Sequence, residues 1–288
     1  MSRAATFLSP VPLFFVFLWS TGFIVAKFGL PFAPPLTFLL LRFAGVLVLL
    51  APTVLLLRAP WPDKPGHVAV AGMLLQAGYL SGVWCAIKLG MPAGLSALIV
   101  GMQPIITAFA APLIGEKVRP RQWLGLAFGL AGVALVVYAK ITLVGLTWQA
   151  IALSVFALIS ITVGTLYQKH YCPSFDLRTG TVIQFGASVL LVLPFAFLLE
   201  DVHSVLWTPS FVVALAWSVL ALSIGAIFLL FTLIRRGNAT QVTSLLYLTP
   251  PTTAIMAWLV FGEALNWMGI AGMVLAVVGV VFVVKNPK

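Results

Sequence analysis

Arg42 is the one charge placed well inside an apolar stretch of this 288-residue chain. It lies about seven residues into the run 35–57, roughly 10 Å along a helix. On insertion scales an arginine at the centre of a membrane helix costs about 2.5–3.5 kcal/mol. Such a guanidinium meets the carboxylate of a bound molecule, or it is a structural group that bonds free carbonyls or snorkels to the surface. The corresponding place in the second half of the chain holds Gln184, also polar and able to bond across helices. That pairing leans toward a structural role shared by both halves.

Uncharged polar and aromatic residues recur at helical spacing inside other apolar runs. Ser96, Gln103 and Thr107 share one face, and Thr243, Tyr247 and Pro250 share another. Gln76 with Tyr79 forms a third face, and Ser160, Gly164 and Tyr167 a fourth. Trp19, Ser20 and Trp217 also sit within apolar runs. Aromatic faces can stack on a bound molecule while hydroxyls and amides hold its polar end. The candidate binding residues are therefore Trp19, Ser20, Gln76, Tyr79, Ser96, Gln103, Ser160, Tyr167, Trp217, Thr243 and Tyr247. The competing reading is interhelical hydrogen bonding, which uses the same residue types at the same spacing. Trp61, Trp123, Trp148, Trp207 and Trp267 fall at the ends of runs and read as an interfacial belt.

Proline supplies a second kind of site. Inside a helix it removes an amide donor and clashes with the preceding turn. Pro104 should free the carbonyl of Val100, and Pro250 and Pro251 those of Leu246 and Tyr247. Backbone exposed in this way at membrane depth must be buried in protein or face a watery cavity. These three prolines are the expected hinges.

Catalytic chemistry is not expected. The six acids, Asp63, Glu116, Asp176, Glu200, Asp201 and Glu263, all avoid the middle of a span, and His67, His170 and His203 lie near span ends. Proton coupling through a buried carboxylate is therefore doubtful, and passage down a gradient is the simpler reading. Neither paired aspartates nor a His-Glu-x-x-His site occurs, so no metal or cofactor is expected. Cys85 and Cys172 fall on opposite sides of the topology and are not expected to pair.

The elements that carry these residues follow from composition. Hydrophobic residues make up 62% of the chain and charged ones 8%, with a mean hydropathy of +1.15. A soluble domain averages about 25% charged residues. The long apolar runs read as ten membrane helices, near 11–29, 35–57, 67–88, 93–114, 121–139, 146–167, 178–199, 210–234, 240–261 and 266–284. The net charge of +10 comes mostly from loops on one side, which hold twelve Lys and Arg against three (Lys27, Lys88 and Lys140) on the other. The positive-inside rule then puts both termini in the cytoplasm. With its basic residues in membrane loops, the chain is not a nucleic-acid binder.

The two halves also look like one sequence written twice. An offset of 147 carries Gly115-Glu116 to Gly262-Glu263, Lys88 to Arg235, Gly90 to Gly237 and Pro104 to Pro251. An offset of 142 carries Gly22 to Gly164, Lys27 to Lys169, Phe43 to Phe185 and Pro52 to Pro194. The difference falls near Glu200-Asp201. Five spans per copy would turn the second copy upside down, a device of carriers that open alternately to either side. The expected units are residues 1–140 and 141–288. Gly125, Gly129 and Gly132, with Gly272, Ala276 and Gly279, are expected to pack helices within each repeat. A homodimer face is the lesser alternative, so a monomer is favoured.

This arrangement resembles the drug/metabolite transporter superfamily, and more closely its EamA-type exporters. The resemblance rests on the fourth span of each repeat, from Leu98 through Gln103-Pro104 to Gly115-Glu116 and from Leu245 through Pro250-Pro251 to Gly262-Glu263. The glycine-bearing spans that follow also fit, and the match covers essentially the whole chain. With Trp19 in the first span, the chain is most similar to the aromatic amino acid exporters. The resemblance implies a bacterial inner-membrane protein with a central cavity between the repeats. Its expected function is export of small metabolites, above all aromatic and other neutral amino acids. The expected partners are that small molecule and the lipid bilayer. Export of another metabolite or drug, or a non-transporting scaffold or receptor, is the alternative.

Overall fold

The computed structural model describes residues 10–91, 93–138, 147–236, 239–261 and 266–284. The chain ends, the boundary at 140/141, Lys140, Gly237 and Gly262-Glu263 lie outside them. Among the described residues every regular element is helical. They are α1 (Pro10–Gly29), α2 (Pro35–Leu56), α3 (Pro65–Lys88), α4 (Ala93–Val100, then Gln103–Ala110) and α5 (Pro120–Tyr138). The second half holds α6 (Trp148–Tyr171), α7 (Leu177–Leu199), α8 (Pro209–Arg235), α9 (Ala239–Ser244, Leu245–Leu248 and Thr249–Phe261) and α10 (Trp267–Val284). Eight of these, α2 to α8 and α10, are long and apolar enough to cross a membrane.

Local chemistry sets the ends. Proline opens α2, α3, α5 and α8, where its missing N–H is no loss. Thr147 caps α6 by accepting from the Ala150 N–H, and Asp176 caps α7 by accepting from Arg178. The α6 helix runs four residues beyond its expected end, to Tyr171. Lys169 is thereby helical, and its amine donates to the Ile234 carbonyl of α8.

Two acids tie the ends of the bundle together. Glu200 accepts from the Leu36 and Thr37 N–H groups and the Thr37 hydroxyl, at 2.8–2.9 Å, at the start of α2. Glu116 accepts from the Ala239 N–H on both oxygens, at 2.9 and 3.2 Å, at the start of α9. Both satisfy amides that a helix start leaves without partners. They mark opposite ends, called here the Glu200 end and the Glu116 end. Thr179 bonding Pro60 belongs to the Glu116 end, and Leu206 bonding Phe32 to the Glu200 end.

The main helix contacts recur when each helix is exchanged for the one five places on, although the α2–α3 and α5–α9 contacts lack counterparts of similar extent. The α3–α6 contact is matched by α8–α1, α4–α6 by α9–α1, and α3–α7 by α8–α2. The remaining major pairs, α2–α7, α4–α9 and α5–α10, map onto themselves. The glycines show the direction. Gly125 meets Gly279, while Gly132 meets Gly272 and Ala276. Numbers rise along one helix as they fall along the other, so α5 and α10 are antiparallel. A Cβ on Gly132 would stand 2.4 Å from the Ala276 nitrogen, and one on Gly279 2.4 Å from the Gly129 nitrogen. The stripe thus packs between the two halves and not within each, which corrects the expectation from sequence. The facing helix or Tyr247 covers these glycines, so they offer no face to a second copy.

The core is a continuous apolar cluster through the bundle. Leu55, Leu56, Leu190, Leu198 and Leu199 are all about three-quarters exposed on the outer faces of α2 and α7. That pattern suits a chain whose surroundings are hydrocarbon.

Candidate functional site

A cavity opens inside the half of the bundle nearer the Glu200 end. It has two adjoining parts that share Trp19, Tyr79 and Val83 as a common wall. The first is lined by Trp19, Gly22 and Ala26 of α1, Arg42 of α2, a continuous face of α3, and Leu222 and Ile227 of α8. The second is lined by Ser96, Ala97, Val100 and Gly101 of α4 and Leu246, Thr249 and Pro250 of α9. The walls are mostly apolar, with few polar groups, as in ordinary small-molecule sites.

Two backbone irregularities position this wall. The first is a pair of π-helical segments, Met73–Gly78 in α3 and Ser218–Ala226 in α8. They fall at equivalent places in the two halves, with Gln76 and Ser223 as counterparts 147 residues apart. Such bulges widen a helix turn and recur at functional sites. The second is the break in α4 at Gly101-Met102, before Gln103-Pro104, and the tight turn Leu245–Leu248 before Thr249-Pro250-Pro251 in α9. Ser20, fully buried on α1, bonds its own turn at Val16 and reaches the Thr249 carbonyl at 3.4 Å.

Of the residues singled out from sequence, Trp19, Arg42, Gln76, Tyr79, Ser96 and Pro250 line the cavity. The Trp19 and Tyr79 rings are nearly parallel, with centroids 6.4 Å apart. The Arg42 Nε donates to the Ser223 hydroxyl at 2.7 Å, and among the described residues this arginine bonds no carbonyl. It is 5% exposed.

The others are elsewhere in this conformation. Gln103 turns into the packed half, where its amide donates to Thr165 at 3.1 Å. The break at Gly101 separates it from Ser96, so the expected single face of α4 is divided. Thr107 is also buried there. The Ser160 hydroxyl donates to the Leu74 carbonyl in the π segment, against Gly78. The Tyr167 hydroxyl meets His67 Nδ1 at 2.6 Å, and His67 stacks flat on Tyr171. Thr243 bonds back to Ala239, and Tyr247 is fully buried against Gly129. Pro104 is buried, and Pro251 lines an apolar groove between α1, α9 and α10. Trp217 stands 42% exposed on the outside of α8 and donates to Thr21 at 2.9 Å. Its place within an apolar run did not reveal which way it faced. Cys85 and Cys172 are free.

Sequence reasoning missed Trp84, which is buried, lines the cavity and stacks on Phe38 at 4.7 Å. A signal was available: Gln76, Tyr79, Leu80, Val83, Trp84 and Ile87 follow helical spacing along the one lining face of α3. The π segments left no comparable trace beyond the matched glycines Gly78 and Gly225.

The half nearer the Glu116 end is packed at its centre by repeat counterparts of four cavity-wall residues, with a recess lined by Gln168, Pro173, Phe175 and Ile234. Ala26, Arg42, Ser96 and Val100 line the cavity. Their counterparts Gln168, Gln184, Thr243 and Tyr247 are all buried. The Gln184 amide donates to Gln168 at 2.8 Å across α6 and α7.

Known proteins agree with this architecture. A crystal structure of a protein only 20% identical superposes with a TM-score of 0.78 over 98% of both chains, a likeness of fold. The uncharacterized inner membrane transporter YedA of Escherichia coli K12 is 30% identical over 271 residues, covering 91% of this chain and 86% of its own. A probable amino-acid metabolite efflux pump of Salmonella typhimurium is 28% identical, covering 97% of this chain and 94% of its own. The EamA-like transporter family matches twice, at residues 11–138 and 148–285. With nearly its whole length accounted for by two copies of that pattern, this multi-pass helical chain belongs to the EamA-like transporter family.

Proposed function

We propose that the chain exports small metabolites across a bacterial inner membrane by alternating access. In this reading residues 1–140 and 141–288 are inverted five-span repeats, giving ten spans with both termini cytoplasmic. The Glu116 end is then cytoplasmic, and the cavity faces outward. One observation carries the reading: the cavity occupies one half of the bundle, and the repeat counterparts of Ala26, Arg42, Ser96 and Val100 on its wall are packed in the other half. A pseudo-twofold carrier exchanges these two halves when it changes state. Gln103, Ser160, Tyr167, Thr243 and Tyr247, packed here, then line the cavity in the opposite state, and Pro104, Pro250 and Pro251 mark the hinges. The substrates favoured are aromatic and other neutral amino acids or their metabolites, carried without ion coupling. Support comes from the aromatic wall and from the relative named as an efflux pump for amino-acid metabolites. Another metabolite or a drug is the second reading, and a scaffold or receptor the third.

The deciding measurement is flux of labelled aromatic and aliphatic amino acids in proteoliposomes, with and without an imposed proton gradient. Saturable counterflow independent of the gradient is expected. A chain that binds these compounds but moves none of them would be a receptor.

A further inference from the structure

The geometry points to Arg42 as the anchor for a substrate carboxylate, in a cavity that offers nothing equivalent to an ammonium group. The favoured cargo is therefore a small organic acid with an apolar or aromatic body, and an α-amino group is dispensable. This inference rests on the transport reading and names the chemistry of its site.

Arg42 lines the cavity, and its bond to the Ser223 hydroxyl is the one hydrogen bond it makes among the described residues. A guanidinium carries five N–H donors in a rigid fork. Those of the two Nη atoms are left for a ligand. A wholly structural arginine at this depth would spend them on carbonyls or a carboxylate, because a desolvated cation without a partner is costly. Three of the acids are committed elsewhere. Glu116 caps α9, Glu200 caps α2, and Asp176 pairs with Arg178 at 2.8 Å. Among the described residues no acid lines the cavity.

Gln76 points the same way. Its Nε2 is buried without a partner among the described residues, on the same wall. The wall thus carries one cation and, among the described residues, no carboxylate, which selects an anion. A substrate ammonium would find only neutral oxygens, such as those of Ser96, Tyr79 and Thr249.

Arg42 also has the right depth. The neighbouring Phe43 meets its own repeat counterpart Phe185, with ring centroids 5.4 Å apart. That contact puts Arg42 near the axis relating the two halves, on the wall of the half that is open here. Its counterpart is neutral Gln184, so the site holds one anion.

The test uses the full chain in nanodiscs and four ligands of one shape: 3-phenylpropionate, phenylalanine, phenylalaninamide and phenethylamine. Calorimetry should show binding of the two carboxylates and far weaker binding of the amide and the amine. Arg42→Gln should weaken 3-phenylpropionate binding by about 10–100-fold, the worth of a charge-assisted forked contact. Arg42→Lys should fall between. Phenethylamine binding as tightly as the acid overturns the inference, as does a folded Arg42→Gln protein with wild-type affinity for the acid. If Arg42→Gln does not fold, the ligand series on the unaltered chain decides alone. Flux is read separately: vesicles that move the amine as readily as the acid overturn the anchor and leave transport standing. Acid-selective binding without flux leaves the anchor and removes transport.

Discussion

Phe43 and Phe185 meet edge to face with centroids 5.4 Å apart, although 142 residues separate them. They occupy the same place in the two halves, so their contact marks where the halves are related to one another. The antiparallel α5–α10 glycine contact marks a second such place. An inverted pair of repeats must then present counterpart loops on opposite faces of the membrane. Single cysteines at Pro31 and Pro173, both exposed counterparts, with Cys85 and Cys172 replaced by serine, test this. An impermeant thiol reagent applied to intact cells should label Pro31→Cys and spare Pro173→Cys. Labelling of both from one side would rule out the inverted arrangement.

The α5–α10 contact should also be among the least forgiving in the bundle. Gly132→Ala places a methyl 2.4 Å from the Ala276 nitrogen, and backbone cannot yield as a side-chain tip can. Overpacking of this kind costs about 1–3 kcal/mol. Thermal unfolding in detergent should show a clear drop for Gly132→Ala. Gly66→Ala, where nothing lies within 4 Å, should show no comparable drop.

Cavity wall and packed half should separate kinetically. Trp19→Ala and Tyr79→Ala remove the shared wall, so they should raise the KM for transport by about tenfold, in keeping with a few lost apolar and aromatic contacts. Gln103→Ala removes the amide that donates to Thr165 in the packed half. It should alter the maximal rate of exchange more than the affinity at the open face. Equal changes in KM for all three variants would remove the distinction.

Glu116 should give the bundle a pH dependence of known sign. Burial raises its pKa above the usual 4.5, partly opposed by the Ala239 N–H and the nearby Lys169. A carboxyl with a raised folded-state pKa contributes its stability below the unfolded value and loses it as pH rises through the folded value. Wild type should therefore gain stability relative to Glu116→Gln as pH falls from neutrality toward about 4.5. Melting curves of the two proteins across that range should converge or cross in this direction. Glu116→Ala should be less stable than Glu116→Gln throughout, because the Ala239 N–H then has no acceptor.

Asp176 should behave in the opposite sense. Its bonds to the Arg178 side chain hold its pKa below the usual carboxylate value of 3.8. Its contribution is present above that value and lost as pH falls through the folded one. The difference between wild type and Asp176→Asn should shrink on strong acidification and also in high salt, since the pair is partly exposed.

Much of the architecture was legible because its signals are local. Hydrocarbon requires each span to bond its own backbone, so long apolar runs announce helices one at a time. The duplication was visible as matched glycines, prolines and charges. The break in α4 was visible as Pro104, since a missing amide acts within a turn of itself. Arg42 stood out because charge at that depth is rare. The divided face of α4, the outward turn of Trp217 and the cavity role of Trp84 were not legible in the same way. Each depends on which neighbour a helix faces, and periodicity identifies a face without naming what stands opposite.

The chain alone determined that it is a helical membrane protein written twice, with its charges, prolines and polar faces at given places in the spans. Only the tertiary structure decided which of those faces opens and which is packed. Two counterparts as alike as Ser96 and Thr243 can lie one in a cavity and the other in the packed half. In the proposed carrier the physical reason is that near-equivalent halves cannot both be open and still keep the bundle sealed. The asymmetry belongs to the conformation, which is set by the packing of many helices at once and by no single residue.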